Sequence, residues 1–125
     1  MNTRNHERRS ECPIACSLDV LGDKWTLLVL RDLLDGKTRF SEFERSPEGI
    51  PTNILTDRLR RLEATGLVAR IKGRSSSRFE YHPTAQGRDL RPVLLALASW
   101  GNTHLEDTWV PPSDYLAPKE PSDDL

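Results

Sequence analysis

The chain has 125 residues, 36% of them hydrophobic, with 18 Lys plus Arg against 19 Asp plus Glu and a formal net charge of −1. That length suits a single domain, and the longest apolar runs, over 27–30 and 93–98, fall far short of the roughly 20 residues a membrane-spanning helix needs. The polar start (Met1, Asn2, Thr3, Arg4, Asn5, His6) lacks the apolar core of a secretory signal, so a cytoplasmic chain with reduced thiols is expected.

Residues 1–11 read as an N-terminal arm. Pro13, after Cys12, suits the first turn of a helix, because its missing N–H would be unpaired there in any case. Ile14, Leu18 and Leu21 then recur at helical spacing, and Gly22 offers the stop. Asp23 is a candidate cap for a second helix reaching Asp35, with Gly36 beyond it. Trp25, Leu27, Leu28, Val29, Leu30, Leu33 and Leu34 cover most of that helix's circumference, which predicts a place at the centre of the core. Ser41, between Phe40 and Phe43, is expected to cap a short helix ending near Ser46 and Pro47. After a turn through Glu48, Gly49 and Ile50, a helix over 51–65 opens at Pro51 and closes before Gly66. Leu55, Leu59 and Leu62 share one face of it. The opposite face holds Asn53, Asp57, Arg60 and Arg61, with Thr56 at the margin. Two helices joined by a short Gly-containing turn, the second with a polar and partly basic outer face, describe a helix-turn-helix.

The period then changes from 3.6 to 2. Ala69 and Ile71 alternate with Arg70 and Lys72, and beyond Gly73, Arg74, Ser75, Ser76 and Ser77 the alternation resumes with Phe79 and Tyr81 between Arg78, Glu80 and His82. This predicts a β-hairpin with a basic, serine-rich tip. Thr84 should cap a last helical segment, divided or kinked at Pro92, whose stripe is Leu90, Val93, Leu94, Leu97, Trp100 and His104. With the small core filled by the preceding helices, that stripe needs another surface to bury against, and a second protomer supplies one. The domain therefore spans 12–106, and 107–125, with Pro111, Pro112, Pro118 and Pro121, reads as a mobile acidic tail. The expected class is mainly α with a small β-hairpin wing, a winged helix-turn-helix.

Charge is unevenly placed. Five acids (Asp107, Asp114, Glu120, Asp123, Asp124) against Lys119 leave the tail at −4 and the rest of the chain at +3. Over 58–78, seven bases (Arg58, Arg60, Arg61, Arg70, Lys72, Arg74, Arg78) face one acid, Glu63. Such a stretch beside a helix-turn-helix points to duplex DNA. Thr52, Asn53, Thr56 and Asp57, nearest the start of the second helix, are the candidates for base edges. Arg60 and Arg61, with Lys72, Arg74 and Arg78 of the wing, are the candidates for phosphates. An enzyme is disfavoured, since there is no Gly-rich phosphate loop and no Gly-x-Ser-x-Gly. No cofactor or metal site is expected from two cysteines and the scattered His6, His82 and His104.

The same residues carry a resemblance. Cys12-Pro13, Gly22-Asp23-Lys24-Trp25, Leu30-Arg31-Asp32-Leu33 through to Gly36, Phe40-Ser41-Glu42-Phe43, Gly49-Ile50, 55–63, Gly66-Leu67-Val68 and the run from Tyr81 to Thr84 resemble the HxlR-type family of bacterial transcriptional regulators. The likeness covers about 12–104, and Gly22-Asp23-Lys24-Trp25 is its most specific block. Pro51 stands where the family pattern has a small polar residue. The resemblance implies a homodimer on a pseudo-palindromic operator, each protomer inserting one helix into a major groove. It also implies that Cys12, at a helix start with Arg8 and Arg9 upstream and Glu7 and Glu11 opposing them, is the thiol that would answer oxidants or electrophiles. Cys16, one turn on, is expected in the core. The inducer is left open. The rival reading is a winged-helix module for protein contact alone, which would have no use for the basic stretch.

Overall fold

Among residues 9–73 and 78–118, which the computed structural model describes, polar caps and glycine stops divide the chain into six helices and two strands. They run α1 (Pro13–Leu21), α2 (Thr26–Leu34), α3 (Phe40–Glu44), α4 (Thr52–Ala64), β1 (Val68–Lys72), β2 (Phe79–Pro83), α5 (Ala85–Arg88) and α6 (Arg91–His104). Arg8, Arg74, the serines at 75–77 and the chain from 119 onward lie outside the described residues.

Asp23 lies two residues ahead of Trp25, the N-cap of α2, and serves the start of that helix by accepting hydrogen bonds from the backbone N–H of Trp25 at 2.8 Å and of Thr26 at 3.0 Å. The α3 cap differs from expectation. Ser41 lies inside that helix, and it is Glu42 that reaches back to accept from the N–H of Thr38 and of Arg39, both at 2.9 Å. A carboxylate serving two unpaired donors outcompetes a hydroxyl that could serve one. Thr84 caps α5 as expected, accepting from the Gly87 N–H at 3.1 Å. The break between α5 and α6 falls at Asp89 and Leu90, with Pro92 in the first turn of α6, where it needs no donor.

The core is continuous from Leu21 through Val29, Leu30 and Leu33 of α2 to Phe43, Ile50, the three leucines of α4, Leu67 and Val68. Leu30 and Leu55 are fully buried, which puts α2 at the centre with α4 across it. The two strands pair antiparallel, with Arg70 opposite Tyr81 and Ile71 opposite Glu80. Opposed residues share a face, so Ile71 stands with Glu80 on the outside and is half exposed, while Tyr81 turns inward to meet the Phe43 ring edge-on at 6.2 Å. The outer edge of β2 is covered in part by the loop before α3, where the Tyr81 N–H donates to the Thr38 carbonyl.

The segment expected to be a mobile tail is anchored over its first part. Leu116 is buried at 5% exposure, Arg91 donates to the carbonyls of Tyr115 and Ser113, and the rings of Trp109 and Tyr115 meet edge to face at 5.2 Å. Four prolines in the sequence suggested looseness. A guanidinium on two backbone carbonyls and one leucine in the core override that.

Candidate nucleic-acid interface

The α4 helix buries Leu55, Leu59 and Leu62, which leaves Asn53 and Arg60 exposed on its outer side. Pro51 serves as its N-cap in extended backbone, so the proline is accommodated one residue before the helix without loss of a donor. Thr52 donates its hydroxyl to Glu44 of α3 at 3.0 Å, and Thr56 donates to the Thr52 carbonyl at 3.0 Å. Both hydroxyls keep acceptor capacity toward solvent.

Two residues behave differently from their sequence reading. Asp57 is held between Arg58 at 2.5 Å and Arg61 at 3.0 Å, so its carboxylate is already engaged by two guanidiniums. Arg58 turns inward to 13% exposure and reaches Asp23 at 3.1 Å, tying α4 to the start of α2. Burial opposes ionisation of Asp23, but hydrogen bonds from Thr26, Trp25 and Arg58 outweigh it and hold the carboxyl well below its ordinary range. Arg70 lies 3.7 Å from Glu63 and over the Phe79 ring at 4.4 Å. The basic stretch is thus partly neutralised from within. Arg60 and Lys72 are exposed and carry no ion pair among the described residues, and Arg78 is exposed as well.

The turn that presents α4 is fixed from α2. Asp32, buried at 5% exposure, accepts a short hydrogen bond from the Ser46 hydroxyl and is flanked by Lys37 at 3.5 Å. Arg31 donates to Asp32 and, through both terminal nitrogens, to Glu48 at 2.7 and 2.8 Å. The hydrogen bonds from Arg31 hold the Glu48 carboxyl below its usual range. Gly49 closes the turn at φ 72°, donating to the Ser46 carbonyl. Arg31, Asp32, Ser46 and Glu48 were not foreseen as parts of the interface, and Arg58 was read only as one base of the basic stretch. The clearest trace of this cluster in the sequence is the charged pair Arg31-Asp32 inside an otherwise apolar helix.

Elsewhere, Cys12 is exposed, with its N–H donating to the Ser10 hydroxyl, and Cys16 is half-buried with its thiol donating to the Ser10 carbonyl at 3.3 Å. Arg9, expected to bear on Cys12, instead pairs with Asp19 at 2.6 Å. Of the stripe on α6, Leu90 packs on the chain's own core and Leu94 is half-buried. Val93, Leu97 and Trp100 are exposed at 40%, 52% and 60%, and the exposed His104 ring lies 5.0 Å from that of Trp100. No helix among the described residues is long and apolar enough to cross a membrane.

A model of the HxlR-like helix-turn-helix family matches residues 20–108, from the end of α1 to just past α6. The chain belongs to that family. The HxlR-like chain is 37% identical over 100 residues to the HTH-type transcriptional regulator YybR of Bacillus subtilis, covering 79% of this chain and 80% of that protein. It is 38% identical to the redox regulator HypR in its reduced form, with a TM-score of 0.68 over 76% of this chain and 95% of the other. It is 28% identical to the quinone-bound form of YodB from Bacillus subtilis, with a TM-score of 0.61 over 74% and 99%. The resemblance and the winged-helix class read from the sequence are therefore borne out. The HxlR-like chain is a transcriptional regulator, and regulators built on a helix-turn-helix bind DNA.

Proposed function

We propose that this chain acts as a homodimer on a pseudo-palindromic operator, with α4 of each protomer in a major groove. The observation that carries this reading is the exposed side of α4, where Asn53 stands outward and Thr56 lies half-buried at the margin, on a helix clamped at its base by Asp32, Ser46 and Arg58. Asn suits adenine by paired hydrogen bonds, and Thr52 and Thr56 reach neighbouring base edges. Asp57 then acts on register mainly by orienting Arg61. Arg60, Arg61, Lys72, Arg74 and Arg78 meet phosphates, which the basic stretch supports better than a role in protein contact alone.

A library of random duplexes selected on the purified chain supplies the operator, and two variants then test the assignment. Asn53→Ala should lose about 1 to 3 kcal/mol on the selected duplex and little on random duplex, while Arg60→Ala should weaken both alike. Equal losses for the two variants on both duplexes would overturn the division. The exposed Val93, Leu97 and Trp100 supply the protomer contact, so Leu97→Asp should sediment as a monomer where the wild type sediments as a dimer.

Sensing at Cys12 is the finer part of the proposal. Its exposure supports the role, and so does the 38% identity to a protein described as a redox regulator. Diamide should change operator affinity in the wild type and in Cys16→Ser but leave Cys12→Ser unaltered. An unchanged wild-type affinity would reduce Cys12 to a surface residue.

A further inference from the structure

A cleft of about 480 Å³ opens where the end of α2, the base of the wing and the start of α6 converge. Its size falls within the range of small-molecule sites. Leu33, Leu34 and Leu116, all buried, line its apolar part. Arg88, Arg91 and His82 supply the polar part. His82 is 3.1 Å from Glu80, but neither arginine has a carboxylate partner among the described residues. Arg91 places two of its five donors on the carbonyls of Tyr115 and Ser113 and makes no ion pair among the described residues, so it keeps donors for a further acceptor.

One wall is a strap over 113–118. It lies beyond residue 108, where the family match ends. Leu116 takes φ 60°, a left-handed backbone that a branched side chain adopts only when its surroundings impose it. Its side chain reaches the core while Arg91 grips the carbonyl just before it. The strap is held in a strained shape by the residues that line the cleft.

We propose that this cleft binds a medium-chain aliphatic carboxylate. Three leucines against a single imidazole favour a flexible chain over an aromatic one, and two arginines with no ion pair among the described residues favour a single negative head. The carboxylate sits at the Arg88 and Arg91 end. The opposite end, where Leu33 and Leu34 of α2 meet Leu116, takes the alkyl part. Because His82 belongs to β2 and Arg91 to α6, an occupant bridges the wing and the helix proposed to join protomers. It is thereby placed to alter the wing's approach to a duplex.

Binding is read on the chain without DNA, so its outcome is independent of the operator assignment. Isotope-labelled protein is titrated with octanoate and, separately, with octanamide, which has the same length and no charge. Octanoate should give saturable amide shifts at Leu34, Gly36, His82 and Leu116, at least tenfold tighter than octanamide. Arg88→Gln, an exposed position with no ion pair among the described residues, should weaken octanoate tenfold or more. Three results would each overturn the proposal: no saturation below about 10 mM, equal response to octanamide, or shifts confined to Val93, Leu97 and Trp100.

Discussion

Asp32 concentrates several functions in one buried side chain. It accepts from Ser46 and Arg31 and pairs with the Lys37 ammonium, so its carboxylate is what lets a charged cluster exist beside Leu30 and Leu33. Asp32→Ala takes the buried carboxylate from between Ser46, Arg31 and Lys37 and leaves Arg31 on Glu48 alone, and should lower stability by about 3 kcal/mol in urea unfolding. Loss of under about 1 kcal/mol would show that Glu48 and water suffice. Acid acts on three other carboxylates. Asp23, Glu42 and Glu48 each hold their proton less readily in the folded chain than in the unfolded one. Their contribution is complete above about pH 5 and is lost as pH falls through about 4 and below, toward the folded-state values. Asp23→Asn should therefore flatten the loss of stability between about pH 6 and pH 3, and an unchanged slope would assign the acid sensitivity to other groups.

Elements were legible where one helix face decides them. The leucine spacing of α4 and the breadth of apolar residues on α2 follow from the helical period alone, and the structure has both. Contacts between elements were not legible. Arg58 looks like one more base of a basic run, and only the fold, which brings Asp23 near it, turns it inward. The same holds for the strap, whose anchor is a bond from Arg91 to a backbone carbonyl, a partner that no side-chain pattern encodes. Two glycines separate local from long-range demands. Gly49 needs only its backbone freedom, since a Cβ there meets no atom within 4 Å, and Gly49→Ala should cost about 1 to 2 kcal/mol. At Gly87 a Cβ would lie 2.2 Å from the Leu67 carbonyl oxygen, a backbone atom held by the Thr84 N–H. Gly87→Ala should cost more, about 3 kcal/mol, and thermal unfolding of the two variants compares them directly.

At the scale of the whole molecule, net charge is a poor guide to how strongly the surface draws a polyanion. The ion pairs of Asp57 with Arg58 and Arg61, and of Glu63 with Arg70, offset two positive charges before any duplex arrives. The salt dependence of duplex binding should be correspondingly shallow. Asp57→Asn, which releases Arg61, should steepen the slope of log K against log salt by about 1 per protomer, and an unchanged slope would mean that Arg61 meets no phosphate. If α4 reads the operator as proposed, a helix neutralised from within should also dwell briefly on random sequence. Each encounter should then end quickly, so that the molecule would survey a chromosome by many short visits instead of long one-dimensional slides. On that reading the carboxylate of Asp57 would set the tempo of the search.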